Sequence, residues 1–211
     1  MVLNLDPARD NPRNSEGAFV TLKSGRILFI YTRFNGGAAD ESPAQLASIQ
    51  SDDGGRTWSR EPRTVVELAD GRLFSWMRTD QGAHFGCYST DSGKRWSPPA
   101  RTDLVSPASP ASIKRLPGSA DLVALYNDHS GRFPFPKGKR SPLVAAVSSD
   151  GGKTWPCRKL LEGDPAGWYC YTAIHFTEDA MLLAYCAGDP QAGYLNRLRL
   201  RRVGLGWLKE I

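Results

Sequence analysis

Ser51-Asp52-Asp53-Gly54-Gly55-Arg56-Thr57-Trp58 reads SDDGGRTW, and this chain spells the phrase three times. STDSGKRW runs from Ser89 to Trp96 and SSDGGKTW from Ser148 to Trp155. The shared pattern is Ser-x-Asp-x-Gly-x-Thr-Trp, with Arg95 in the threonine position of the second copy. Each copy follows an extended stretch: AQLASIQ, HFGCY and SPLVAAV. An Asp-x-Gly centre is turn chemistry, because a short carboxylate captures nearby backbone amides. We expect Asp53, Asp91 and Asp150 to accept from amides two residues on. Gly55, Gly93 and Gly152 are expected at positive φ, which glycine tolerates without a Cβ clash. Trp58, Trp96 and Trp155 then supply large apolar plugs that pin each turn to its sheet. Ser51, Ser89 and Ser148 open the boxes. These residues read as fold-forming, not as catalytic groups.

A second element recurs between the boxes. AFVTLKSGRILFIYTR (18–33) and TVVELADGRLFSWMR (64–78) are apolar strands joined by a tight turn, and ASIKRLPGSADLVALYN (111–127) and TAIHFTEDAMLLAYC (172–186) are looser copies. Alternation with period two around Gly and Asp turns marks β-hairpins. No window carries the apolar spacing of an amphipathic helix. Short, evenly spaced strands with a repeated Gly/aromatic motif are the pattern of a β-propeller, whose blades take roughly 40–50 residues each. The chain of 211 residues therefore has room for about four blades, expected over residues 14–60, 61–99, 108–157 and 168–207 of a single domain. The longer interval before the third box holds a Pro/Gly-rich loop, NDHSGRFPFPKGKRSP (127–142).

Composition narrows the function. A net charge of +5 is spread along the chain apart from Arg197, Arg199, Arg201 and Arg202. No basic run interleaves with aromatics as in a nucleic-acid binder, so no nucleic-acid partner is expected and anionic small ligands are favoured. Cys87, Cys157, Cys170 and Cys186 form no CxxC pair, which argues against a zinc site and a disulfide framework. The first residues lack an apolar signal-peptide core, and no apolar run reaches membrane-spanning length. A cytoplasmic chain without membrane contact is the expectation.

Three such boxes on hairpin repeats resemble the sialidase (neuraminidase) superfamily, whose members carry these Asp boxes (BNR repeats) on a six-bladed propeller. The resemblance implies an all-β, sialidase-type fold and three arginines that hold a substrate carboxylate, since a planar guanidinium pairs with it in bidentate fashion. Arg78, closing VVELADGRLFSWMR, and Arg140, eight residues before its box serine, are similar to triad positions; Arg13, in NPRNSEGAF, matches the N-terminal one without the familiar Arg-Ile-Pro. The resemblance implies a tyrosine nucleophile, and Tyr171 in Tyr171-Thr172-Ala173-Ile174 fits. Tyr169, two residues earlier and expected on the same face, is the alternative. The glutamate partner is Glu61, one residue out of the family spacing, or Glu67. The acid/base is Asp40 in the Gly- and Ala-rich loop FNGGAADESPAQ, with Glu41 adjacent. LNRLRLRRVGLGWL (195–208) is similar to a closing strand. No metal or other cofactor is implied.

The family pattern has six blades where this chain has about four. The shortfall falls after TWSREPR (57–63), where the first box runs directly into the next hairpin and Glu61 slips out of register. A homo-oligomer completing the ring is one partner this allows. The reading is an exo-acting glycoside hydrolase that cleaves a terminal acidic sugar, sialic acid by default. Its alternatives are a non-catalytic Asp-box propeller that binds glycans or proteins, and an inactive remnant.

Overall fold

The structure is a computed structural model that describes residues 3–39, 42–60, 66–93 and 95–209. It is all-β, with strands that hydrogen-bond in chain order within four separate sheets. The first sheet holds β1 (Arg13–Thr21), β2 (Ile27–Phe34), β3 (Ala44–Ser51) and β4 (Ser59–Arg60). The second holds β5 (Val66–Glu67), β6 (Leu73–Met77), β7 (Ala83–Ser89) and β8 (Ala100–Val105). The third holds β9 (Ser112–Arg115), β10 (Leu122–Asn127), β11 (Leu143–Ser148) and β12 (Cys157–Glu162). The fourth has three strands, β13 (Trp168–Phe176), β14 (Ala180–Gly188) and β15 (Leu198–Gly204), followed by α1 (Leu205–Lys209). This is the blade repeat of a β-propeller with four blades. All four expected hairpins are antiparallel pairs. The loop at 128–142 joins β10 to β11. The helix was not expected; five residues are too few to show a helical period.

The chain divides into two compact units, residues 1–75 with 88–97, and residues 76–87 with 98–211. In the first, Leu22, Leu28 and Leu73 form a core against which Trp96 packs. In the second, the third and fourth sheets pack face to face. Val123, Leu125, Leu143 and Ala145 of the third sheet share one buried cluster with Ile174, Met181, Leu183 and Val203 of the fourth.

Each box joins the third strand of a sheet to the fourth, and its serine is the last residue of the third strand. The amide two residues beyond each aspartate does not go to the carboxylate, as expected, but to the serine. The N–H groups of Gly55, Gly93 and Gly152 donate to the hydroxyls of Ser51, Ser89 and Ser148 at 2.8, 2.9 and 2.9 Å. Those hydroxyls donate in turn to Oδ1 of Asp53, Asp91 and Asp150 at 2.8, 2.9 and 2.8 Å. The carboxylates accept from amides three and four residues on: Arg56 and Thr57 for Asp53, Arg95 for Asp91, Lys153 and Thr154 for Asp150. Positive φ at two successive positions, 71° and 89° at Gly54 and Gly55, turns these amides inward. The hydroxyls of Thr57 and Thr154 donate to the second carboxylate oxygen at 2.6 Å. Arg95 fills that role with its guanidinium Nε at 3.0 Å, which explains how the second copy dispenses with threonine. Each indole closes its box by donating to the glycine carbonyl, at 3.0, 2.7 and 3.2 Å.

These bonds favour ionised aspartates. Asp53 is held well below the usual carboxylate range by the Thr57 hydroxyl and amide and by Ser51. The Arg95 amide and guanidinium hold Asp91 at about 2. At Asp150 burial pulls upward, but the Thr154 and Ser148 bonds outweigh it and leave the pKa at about 2. Lowered folded-state values mean stability that is complete above the free carboxyl value of 3.8 and is lost as pH falls through about 2. Urea midpoints measured across that window will fall steeply, and less steeply in the Asp91→Asn, Asp150→Asn double variant.

Trp155 is fully buried, whereas Trp58 and Trp96 are partly exposed. Trp155→Ala will cost about 3–5 kcal/mol by denaturant unfolding, the range for emptying a core aromatic site; Trp58→Ala will cost less.

Candidate functional site

The fourth sheet positions the candidate nucleophile through an irregularity. β13 pairs with β14 in register from Trp168 to Cys170 and again from Ala173 to Phe176, with a shift between. The bulge lies at Tyr171 and Thr172. Tyr171 takes φ of 54°, a left-handed backbone that a bulky residue rarely adopts. The bulge breaks the alternation that would place Tyr169 and Tyr171 on one face. Tyr169 is buried at 3% exposure, and burial followed by the charge of Glu162 raises its phenol pKa. Tyr171 is 44% exposed. The Thr172 carbonyl accepts from the Ser112 hydroxyl of β9.

Arg140 sits beside this tyrosine. Its backbone carbonyl accepts from the Tyr169 amide at 2.8 Å, so the 128–142 loop is tied to β13 at this residue. Its guanidinium lies 5.3 Å from the Tyr171 ring centroid and 5.7 Å from that of Trp168. Trp168 packs at a tilt on Tyr194, with 5.1 Å between centroids. Partial burial works against the charge of Arg140, yet hydrogen bonding with the Tyr171 and Cys170 side chains outweighs it and raises the pKa.

The other sequence-derived residues are placed as follows. Arg13 opens β1; it donates to the Ala38 carbonyl at 2.9 Å and lies 4.7 Å over the Phe34 ring. Arg78 follows β6 and is half-buried. Glu67 accepts the backbone N–H of Lys23 at 2.8 Å, which ties β5 to the first hairpin turn. Asp40, Glu41 and Glu61 lie outside the described residues. The structure thus brings Arg140 and Tyr171 into contact. It adds Trp168, Tyr194 and Ser112, whose role depends on a bulge with no sequence signature.

A tyrosine–glutamate couple does occur, one that sequence reasoning missed. The Tyr185 hydroxyl donates to Glu162 Oε1 at 2.5 Å, and Arg201 reaches the same oxygen at 3.2 Å. Arg199 pairs with Oε2 at 2.7 Å. Burial tends to raise the Glu162 pKa, but the Arg199 and Tyr185 bonds and the two positive charges lower it. Burial and the facing carboxylate push the Tyr185 phenol up to about 12. Tyr185 is fully buried, and the couple clamps β12 to β14 and β15. Glu162→Gln will lower unfolding stability by ~2 kcal/mol, as expected for bonds to a charged acceptor; Tyr185→Phe, which leaves both arginine pairs, will cost less in the same denaturation assay.

Boxes, sheets and hairpins together define a β-propeller of the sialidase type. Residues 61–184 match the BNR repeat-like domain, and the chain belongs to that family. It is 30% identical over 207 residues to a sialidase of Micromonospora viridifaciens, a match covering 89% of this chain and 29% of that protein. The chain thus spans under a third of the length of that curated relative. Among solved structures it is similar to the Hadza microbial sialidase Hz136, with a TM-score of 0.69 and 22% identity over 90% of this chain and 37% of that one. It is also similar to the intramolecular trans-sialidase of Ruminococcus gnavus, solved with oseltamivir carboxylate, at TM-score 0.68 and 18% identity over 92% and 44% of the two chains. An α-L-arabinofuranosidase of Fusarium graminearum, solved with arabinobiose, follows at TM-score 0.63 and 15% identity over 96% and 66%. The structural likenesses establish the fold, and the homology is with sialidase-like glycosidases. No helix among the described residues is long and apolar enough to cross a membrane.

Proposed function

We propose that the chain acts as a sialidase-like exo-glycoside hydrolase on a terminal acidic sugar, by a retaining mechanism with Tyr171 as nucleophile. The observation that carries this reading is the exposed Tyr171 at φ 54°, in contact with the Arg140 guanidinium. A sugar that bears a carboxylate on its anomeric carbon repels an anionic nucleophile, so a phenol suits it better than a second carboxylate. In this reading Arg140, with Arg78 and Arg13, binds the sugar carboxylate. Asp40 protonates the leaving oxygen as the glycosidic C–O bond breaks and the Tyr171 oxygen bonds to the anomeric carbon. Glu61 takes the phenolic proton. Water, deprotonated by Asp40, then displaces Tyr171, whose oxygen takes its proton back from Glu61, and the two inversions together retain configuration; sialidases are the exception to the usual carboxylate pair. The partner is a glycan or a small acidic sugar.

The test is release of 4-methylumbelliferone from its α-sialoside. Tyr171→Phe will lower kcat/KM at least ~10³-fold, as expected for loss of a nucleophile. Arg140→Ala will lower it ~10²-fold through lost charge stabilisation. Both variants are to be compared with the parent at matched circular dichroism. A folded parent without turnover on the α-sialoside would overturn the reading of sialic acid as the substrate.

A further inference from the structure

Two of the four cysteines meet across one sheet. Cys170 of β13 and Cys186 of β14 are direct partners in the antiparallel register. Such partners have Cα atoms ~4.5–5.5 Å apart and side chains on the same face of the sheet, within the ~4.4–6.8 Å span a disulfide bridges. Both are free thiols, Cys170 buried and Cys186 partly exposed. Cys87 lies on β7, and Cys157 on β12 directs its S–H to the Leu208 carbonyl at 3.8 Å. Cys170 is also the last residue in register before the bulge that carries Tyr171.

We propose that Cys170 and Cys186 are an oxidisable pair that closes to a cross-strand disulfide by exchange with a low-molecular-weight disulfide. The partly exposed Cys186 thiolate attacks one sulfur of the small disulfide and expels one small thiolate. The Cys170 thiolate then attacks Cys186 in the mixed disulfide and expels the second. Two protein thiols are oxidised to one disulfide, and the small disulfide is reduced to two thiols. The buried, resolving position of Cys170 fits its neighbours: burial holds its pKa up, while the Arg140 guanidinium opposes that and supports the thiolate. The bond would pin β13 to β14 immediately before Tyr171. This inference holds whether or not the site turns over a sugar.

The experiment uses the whole chain and oxidised glutathione as the probe, followed by iodoacetamide in guanidinium chloride and mass spectrometry. Both cysteines fall in one tryptic peptide, residues 160–197. The expected result is alkylation of two of the four cysteines, with peptide 160–197 unalkylated and two hydrogens lighter, and return of four alkylated sites after dithiothreitol. In Cys170→Ser the glutathione adduct will persist on Cys186. Four alkylated cysteines in the oxidised parent, or a persistent glutathione adduct on Cys186 of the parent, would overturn the proposal.

Discussion

The rest of this structure depends on a carboxylate that collects amides. In each box one aspartate accepts from backbone N–H groups and side-chain donors that the tight turn would otherwise leave unpaired. With those groups satisfied, the tryptophan can fold back over the turn, and the next strand begins one to four residues after it. Every bond in the motif is made within four residues, so the third strand of each boxed sheet is terminated by its own sequence.

The candidate site depends on a departure from that regularity. A strand in strict alternation would send Tyr169 and Tyr171 to the same face. One extra residue in β13 separates them and delivers only Tyr171 to solvent beside Arg140. A left-handed backbone at a bulky residue costs roughly 1–2 kcal/mol. The Thr172 carbonyl bond from Ser112 and the Tyr169 amide bond to Arg140 hold the strand on either side of it. A strained residue held by two flanking tethers is the pattern expected where a side chain must be presented rather than packed.

These two features differ in how far the sequence exposes them. The boxes and hairpins are legible because their chemistry is local: Ser, Asp, Gly and Trp at fixed offsets leave few other conformations. The fourth strands β4, β8 and β12 carry no comparable signature. The Tyr171 bulge is not legible, because alternation gives no warning of an inserted residue. Arg140 is found through a family resemblance, yet its ring contacts depend on where a Pro/Gly-rich loop lands. The Glu162 couple joins residues 23 and 39 positions apart, beyond any local pattern. The surprise inside the boxes is instructive too: the serine, not the aspartate, takes the glycine amide, because two left-handed residues in succession rotate that N–H away from the carboxylate.

The Glu162 clamp has a consequence for motion. β15 ends the last sheet, and an outer strand ordinarily frays first. Here two of its arginines are anchored on a carboxylate that belongs to β12, in the preceding sheet. Opening β15 therefore means surrendering bonds to both sheets at once. Its amides belong to the same cooperative opening unit as those of β12 and β14, and their hydrogen exchange is set by the shared free energy of that unit rather than by the exposure of the strand's outer leucines.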